Sequence, residues 1–375
     1  MPSVAIIGTR GYPSYYGGFE TAIRRLAPFL VDAGWEVTVY GRPGATKPAD
    51  PNRDPRVRTV ETWGVERKSV STLTYGLSAV RHAAREGADV ALVMNVANGY
   101  WLPILRRAGI PSLVNVDGIE WDRAKWGRFA KKVFRTGATW TARHGSRMVY
   151  DSMEIGRRWR DEFGLDGAFI PYGGDVVAEQ LPVEQGLRHR GYVLAVARFV
   201  PENTIPEFLG AAKDLADTTD VVIVGSSGYG GELDDAARAL SQTSDRVHWL
   251  GHVSDDQRLN SLWQHAGAYF HGHSVGGTNP ALVQAMACGA PIVARDTVYN
   301  REVLGDAGIF TAPSAGAIRD AIVSVLADRD LADQLSRAAI ARAKDSYTWD
   351  AVNGRYESAL RALIARTPEL QTSGK

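Results

Sequence analysis

Apolar and polar positions alternate along the chain at two periods. Val4-Ala-Ile-Ile7 is an unbroken apolar run, whereas from Phe19 onward Phe19, Ile23, Leu26 and Leu30 share one helical face with Arg24, Arg25 and Asp32 off it. Gly34 supplies the stop. Read this way, the first half predicts strands over 3–8, 36–41, 57–61, 88–93 and 111–115, with helices over 19–33, 72–86 and 98–107. Strands that are apolar throughout are covered on both faces, and their alternation with helices is the pattern of a parallel sheet. A polar, sparsely patterned connector near 177–190 follows, and then the series restarts. It gives strands over 191–196, 220–225, 246–250 and 267–271, with helices over 204–216, 230–241 and 255–264.

The restart predicts an α/β protein of two doubly wound domains, 1–178 and 179–348. The break lies near Phe169-Ile-Pro-Tyr-Gly-Gly-Asp175, where proline and glycines interrupt the pattern. A last helix, from about Trp349 to Ala365, is long enough to cross back onto the first domain, and the residues from Arg366 read as a loose tail. A length of 375 residues suits two cores. The lone Cys288 excludes an internal disulfide framework and a cysteine-rich metal site. Met1-Pro-Ser-Val-Ala-Ile-Ile-Gly8 lacks the charged and long apolar regions of a signal peptide, and no 18 apolar residues run together. A cytoplasmic protein without a membrane span is expected.

The net charge of +1 hides an asymmetry. Residues 1–178 hold 25 Lys/Arg against 18 Asp/Glu, and the remainder holds 18 against 24. Most of the excess lies in 123–160, where Arg123, Lys125, Arg128, Lys131, Lys132, Arg135, Arg143, Arg147, Arg157, Arg158 and Arg160 face only Asp151 and Glu154. With Trp121, Trp126, Phe129, Val133, Phe134 and Trp140 interleaved, the stretch suits an anionic membrane surface at the inner face of the plasma membrane. The alternative is a solvated basic helix face whose aromatics pack inward. No recognition motif accompanies the charge, so nucleic acid is not expected as a partner.

Three segments carry candidate chemistry. His271-Gly-His273-Ser-Val-Gly276-Gly277-Thr278-Asn279-Pro280 leads from a strand into a helix, where unpaired N–H groups and the helix dipole suit a phosphate. An ordinary turn capped by Thr278 or Asn279 is the other reading. Arg198, at the end of the strand 191–196, puts a permanently charged fork where open α/β sheets bind ligands. Gly8 to Gly18 forms a long glycine-rich loop opening a helix, with Gly17 and Gly18 at the helix start. It does not fit a dinucleotide fingerprint, because the loop is too long and Tyr40-Gly-Arg42 offers no acid. Neither Asp-x-Asp between strands nor clustered His/Cys spacing is present, so no metal is expected.

Gly8-Thr-Arg-Gly-Tyr-Pro with Tyr16-Gly-Gly-Phe-Glu-Thr21, Val114-Asn-Val-Asp117-Gly-Ile-Glu-Trp121, Arg198-Phe-Val-Pro-Glu-Asn203 and His271 to Pro280 together resemble the bacterial rhamnosyltransferase-like branch of glycosyltransferase family 4. The resemblance covers most of the chain. It implies the GT-B fold, two Rossmann-like domains facing across a cleft, and metal-independent, retaining transfer without a cofactor. The donor would be a nucleotide-sugar, dTDP-rhamnose for that branch, and the acceptor a glycan or lipid-linked sugar of the cell envelope. Carried onto this chain, Arg198 would hold the leaving diphosphate, with Asn203 where the wider family has lysine. Gly276, Gly277, Thr278 and Asn279 would cradle diphosphate and sugar, and Gly17 and Gly18 would close on them.

By the same resemblance Asp117 stands where the family often has a histidine beside the reacting carbon. Gly225, Ser226, His252 and Val253 would flank the base, and His273 would contact sugar or phosphate. The chain also departs from the family. Gln284 replaces the glutamate expected on the ribose, and Ser274 or Gly276 replaces the first acid of the pair. These losses leave two rivals to a transferase: a nucleotide-sugar epimerase or hydrolase, and a catalytically silent glycan-binding subunit.

Overall fold

The structure, a computed structural model, describes residues 1–372 except 16, 67–70 and 124–125, with side chains as far as residue 365. Tyr16 of the loop motif, Lys125 of the basic stretch and the side chains of the expected tail lie outside the described residues. Two compact units form, one of Met1–Pro171 with Trp349–Lys375 and one of Tyr172–Thr348.

In the first unit the described elements are β1 (Ser3–Ile7), α1 (Gly18–Asp32), β2 (Glu36–Gly41), β3 (Arg58–Glu61), α2 (Ser71–Glu86), β4 (Val90–Met94), α3 (Leu102–Arg107), β5 (Ser112–Asn115), α4 (Arg128–His144), β6 (Arg147–Tyr150), α5 (Met153–Phe163) and β7 (Gly167–Phe169). Its parallel sheet runs β3-β2-β1-β4-β5-β6-β7. Ile6 of β1 sits between Val39 of β2 and Leu92 of β4, and all three side chains are fully buried, which is why these positions are apolar.

The second unit repeats the plan with β8 (Tyr192–Val196), α6 (Ile205–Leu215), β9 (Asp220–Val224), α7 (Glu232–Thr243), β10 (Val247–Gly251), α8 (Asp256–His265), β11 (Ala268–His271), α9 (Pro280–Ala287), β12 (Ile292–Arg295), α10 (Val298–Leu304), β13 (Ile309–Thr311), α11 (Ala315–Ala327) and α12 (Arg329–Ser346). Its sheet order is β10-β9-β8-β11-β12-β13. In both units the chain builds outward from the first strand, then crosses to the other side. Each sheet therefore has a switch point, between β1 and β4 and between β8 and β11, where ligands of open α/β sheets bind.

Three features differ from the sequence pattern for physical reasons. The helix expected over 98–107 divides into a 3-10 turn, Val96–Trp101, and α3. A Cβ on Gly99 would lie 2.3 Å from the Gly137 carbonyl and from Thr141 Oγ1, so α4 presses on this turn. The units divide at Pro171/Tyr172 rather than at 178, because Gly174 N–H donates to Tyr347 O at 2.8 Å and thereby attaches the start of the connector to the second unit. The rest of the connector lies along α8: Gln264 bonds Leu181 N–H and Glu179 O, Ser261 Oγ donates to Pro182 O, and Arg258 pairs with Glu184. Finally α13 (Trp349–Thr372) continues past Ala365 and packs on the first unit, where Asn353 Nδ2 donates to Arg25 O and Arg361 covers the Trp35 ring.

The basic stretch divides in two. Arg157 pairs with Glu154 and Asp161, Arg158 with Asp122 and Glu162, Arg160 with Asp166, Arg135 with Glu162, and Arg123 with Glu120. The acids just beyond residue 160 thus neutralise its second half. Trp126 and Phe134 pack with tilted rings 5.2 Å apart and are half-buried, but Phe129 is 77% and Trp140 38% exposed beside exposed Arg128, Lys132 and Arg143 on α4. No helix among the described residues is long and apolar enough to cross a membrane.

Candidate active site

At the switch point of the second unit, two loops are stitched together. Thr204 Oγ1 donates to Gly272 O at 2.6 Å, and Ser274 places both its N–H and its hydroxyl on Glu202 O. Gly272 has to be glycine, since a Cβ there would stand 2.3 Å from Asn203 O. Arg198 leaves the end of β8 exposed, and among the described residues its guanidinium has no hydrogen bond or ion pair. Its carbonyl accepts from Asn203 Nδ2 at 2.8 Å. Asn203 Oδ1 then faces His273 Nδ1 at 2.6 Å, so that ring nitrogen carries the proton. Buried Asn203 thus ties the Arg198 turn to the His273 loop.

The helix start is more closed than its sequence suggests. Asn279 is the N-cap of α9 and takes the Ala281 N–H on its side chain, its carbonyl takes those of Leu282 and Val283, and Pro280 has none to offer. The first turn is therefore satisfied from within. The open donors lie one step earlier: among the described residues, the N–H groups of Gly276, Gly277 and Asn279 meet no acceptor. Gly276 has φ of 91°, which favours glycine and lets consecutive amides turn toward one side. Thr278 beside them is buried.

Gln284 lies inside α9 with its amide already engaged. It accepts from Asp175 N–H at 3.0 Å and donates to Asp175 O and to Asn260 Oδ1, each at 3.0 Å. It clasps the connector where the resemblance implied a ribose contact. The neighbouring Cys288 thiol is pushed up to about 12 by burial. His271 ends β11 wholly enclosed, with Nδ1 3.1 Å from Tyr269 Oη and Nε2 buried and unpartnered among the described residues. Burial pushes its imidazole down to about 3, so it stays neutral.

Of the expected base-binding residues, Gly225 meets a steric demand: φ is 127° and a Cβ would fall 1.8 Å from Ala197 O. Ser226 accepts Phe199 N–H on its carbonyl at 3.0 Å, His252 is exposed, and Val253 is 8% exposed and packs into the core. All four follow β9 or β10 at the same sheet edge as Arg198.

In the first unit Asp117 follows β5 at a φ of 62°. Its N–H donates to Asn115 Oδ1, its Oδ2 accepts from Asn95 Nδ2 at 3.1 Å, and Arg123 stands 4.0 Å from Oδ1. Asn115 in turn donates to the buried Tyr356 hydroxyl of α13 at 2.7 Å. Asn95, which follows the apolar run of β4 at a φ of 71°, was not singled out from the sequence. A polar residue closing a buried parallel strand was the available signal. Gly17 and Gly18 open α1, where Glu20 reaches back to accept the Arg10 N–H at 3.0 Å and fixes the glycine-rich loop. Among the described residues, no three His, Cys, Asp or Glu side chains converge as a metal-ligand set.

Two doubly wound units, each with its polar residues gathered at a switch point, define the GT-B architecture. Sucrose-phosphate synthase from Thermosynechococcus elongatus aligns with 97% of this chain and 100% of its own at a TM-score of 0.81 and 20% identity. Anabaena HepE in complex with UDP-glucose does so over 97% and 100% at 0.76 and 16%. Residues 17–173 match the glycosyl transferase 4-like domain and residues 179–342 the glycosyl transferases group 1, and the chain belongs to the glycosyltransferases that join these two domains. The phosphatidyl-myo-inositol mannosyltransferase of Mycolicibacterium smegmatis is 28% identical over 59% of this chain and 58% of its own. O-antigen chain mannosyltransferase B of Escherichia coli is 31% identical over 46% and 47%. The chain thus spans about half the length of these curated relatives.

Proposed function

We propose that the protein transfers a sugar from a nucleoside-diphosphate sugar to a glycan or lipid-linked acceptor. The observation that carries this reading is the unpaired Arg198 guanidinium at the same switch point as the open amides of Gly276, Gly277 and Asn279. A fork and a row of N–H groups are what a diphosphate needs. Asp117, held by Asn95 and Arg123, is the carboxylate that would steady positive charge developing at the sugar carbon. The departing phosphate would itself take the proton of the acceptor hydroxyl on the same face, so transfer is retaining and needs neither protein base nor metal.

Resemblance to the rhamnosyltransferase-like branch favours rhamnose as the sugar, and the mannosyltransferase relatives favour mannose. Incubation with dTDP-rhamnose, GDP-mannose and UDP-glucose, followed by thermal unfolding and by release of nucleoside diphosphate, tests both. A donor at 100 times its dissociation constant should add about 2.7 kcal/mol of stability. Failure of every donor and every free diphosphate to stabilise the chain would sink the transferase reading, and release without acceptor would support a hydrolase. The anomeric configuration of the product, read by NMR, tests retention.

The exposed face of α4 supports peripheral binding to an anionic membrane, with Arg128, Lys132 and Arg143 on the headgroups and Phe129 and Trp140 entering the interface. Vesicles with anionic lipid should retain the protein at low salt and release it at high salt. Equal retention by neutral vesicles would refute this attachment.

A further inference from the structure

We propose that Arg42 is the anion-binding residue of the acceptor subsite, so that the acceptor carries a phosphate or carboxylate beside the hydroxyl that receives the sugar. The proposal rests on the transferase reading. Arg42 directly follows β2, on the carboxyl edge of the first sheet and one strand from the switch point between β1 and β4. With Gly8 and Thr9 after β1 and Thr72, Tyr75 and Gly76 of α2, it lines a shallow recess open to solvent. Gly8 and Gly76 both close on Asn98: Nδ2 would lie 2.7 Å from a Cβ added to Gly8 and Oδ1 2.0 Å from one added to Gly76, so the recess has tightly packed walls.

The guanidinium is held in place but left incomplete. Its side chain is 14% exposed, the group lies 5.1 Å over the Tyr75 ring, and Nη1 reaches Glu66 Oε1 at 3.2 Å. Glu66 is 63% exposed, and an ion pair screened to that extent returns little of what burying the cation costs. Nε is buried with no acceptor among the described residues, and Nη2 has none either. Nε and Nη2 form the parallel-donor edge of arginine, the geometry that grips a phosphate or carboxylate through two bonds. An anion there would complete both the hydrogen bonding and the charge of a nearly enclosed cation.

The test uses the full chain saturated with UDP, so that the donor diphosphate site is filled, and calorimetric titration with glucose 1-phosphate, glucuronate and octyl glucoside. One or both charged sugars should bind at least tenfold more tightly than the neutral one, and the two charged arms tell a phosphate acceptor from a carboxylate one. Arg42→Gln should lose that preference while UDP still stabilises the chain, which excludes misfolding as the cause. Glu66→Gln should tighten charged-sugar binding by removing the competing carboxylate. Equal binding of neutral and charged sugars by the wild type, or an unchanged preference in Arg42→Gln, overturns the proposal. Loss of UDP stabilisation in the wild type with charged-sugar preference intact would count against the donor reading and leave the anion subsite standing.

Discussion

Replacing Arg198 by alanine separates a ligand contact from a structural one. The side chain is exposed and makes no internal bond, so its removal strands no partner and should change the stability of the free chain by no more than about 0.5 kcal/mol. Against a bound diphosphate, two unit charges 4 Å apart near a protein surface attract by roughly 4 kcal/mol, and a hydrogen bond to a charged group contributes about 1.5–3 kcal/mol. Exposure places Arg198 in the lower part of that range. A loss of about 2 kcal/mol corresponds to a roughly 30-fold weaker dissociation constant. UDP at 100 times the wild-type constant would then stabilise the variant by only about 0.9 kcal/mol instead of about 2.7. In thermal unfolding the difference is about 4–7 °C for a unit of this size. Arg198→Lys keeps the charge without the fork and should fall between the two. A UDP-induced shift that is equal in wild type and Arg198→Ala would refute the placement of the diphosphate at this loop.

Three further outcomes follow from the geometry. Gln284→Glu restores the acid of the wider family but sets a carboxylate against Asp175 O and Asn260 Oδ1, so urea denaturation should show a loss of about 1–3 kcal/mol; unchanged stability would mean that the clasp does not form. His271 titrates near 6.5 when unfolded and near 3 when folded, so the unfolded chain binds the extra proton between those values. Its contribution is complete above pH 6.5 and falls by about 1.4 kcal/mol per pH unit below it, about 2 kcal/mol by pH 5. Stability curves of wild type and His271→Gln should converge over that window, and parallel curves would contradict the assignment. Tyr356→Phe leaves Asn115 Nδ2 without its acceptor and should cost about 1–3 kcal/mol, with donor turnover falling while UDP-induced stabilisation in the second unit stays constant. Unchanged turnover would disconnect α13 from Asp117.

The two sheets were legible because burial on both faces leaves an apolar run that no surface strand would show, as in Val90–Met94. Pairing order was not, since β4 returning beside β1 is a tertiary choice that neither strand encodes locally. The loops at Arg198 and Gly276 could be found because charge and glycine mark strand ends. Their bonding could not: whether α9 presents its own first-turn amides or those of the preceding loop depends on Asn279 capping from side chain and carbonyl together. Nor could the engagement of Gln284, because Asp175, which binds its amide, is distant in sequence. The pairing of the arginines at 157–160 was hidden in the same way, because Asp161, Glu162 and Asp166 lie just past the end of the basic stretch and fold back onto them.

Backbone strain offers independent support for where the chemistry sits. Among the described residues, the non-glycine positions with positive φ are Asn95, Asp117, Arg190 and Thr204. Such conformations cost about 1–3 kcal/mol each and persist only where the surroundings impose them. Arg190 has a packing reason, since its half-buried guanidinium donates to Ala266 O, Gly289 O and Ser336 Oγ. The other three all lie in loops leaving the carboxyl ends of β4, β5 and β8, joined there by glycines with positive φ at Gly8, Gly225 and Gly276. Each is held by a specific bond: Asn95 by its own contact to Ala97 N–H, Asp117 by Asn115 and Asn95, Thr204 by Gly272 and Arg295. A fold needing only to close its sheets would have no cause to gather strain at one edge of each. Edges built to hold a ligand, as proposed above for Asp117 in one unit and for Arg198 with the open amides in the other, would.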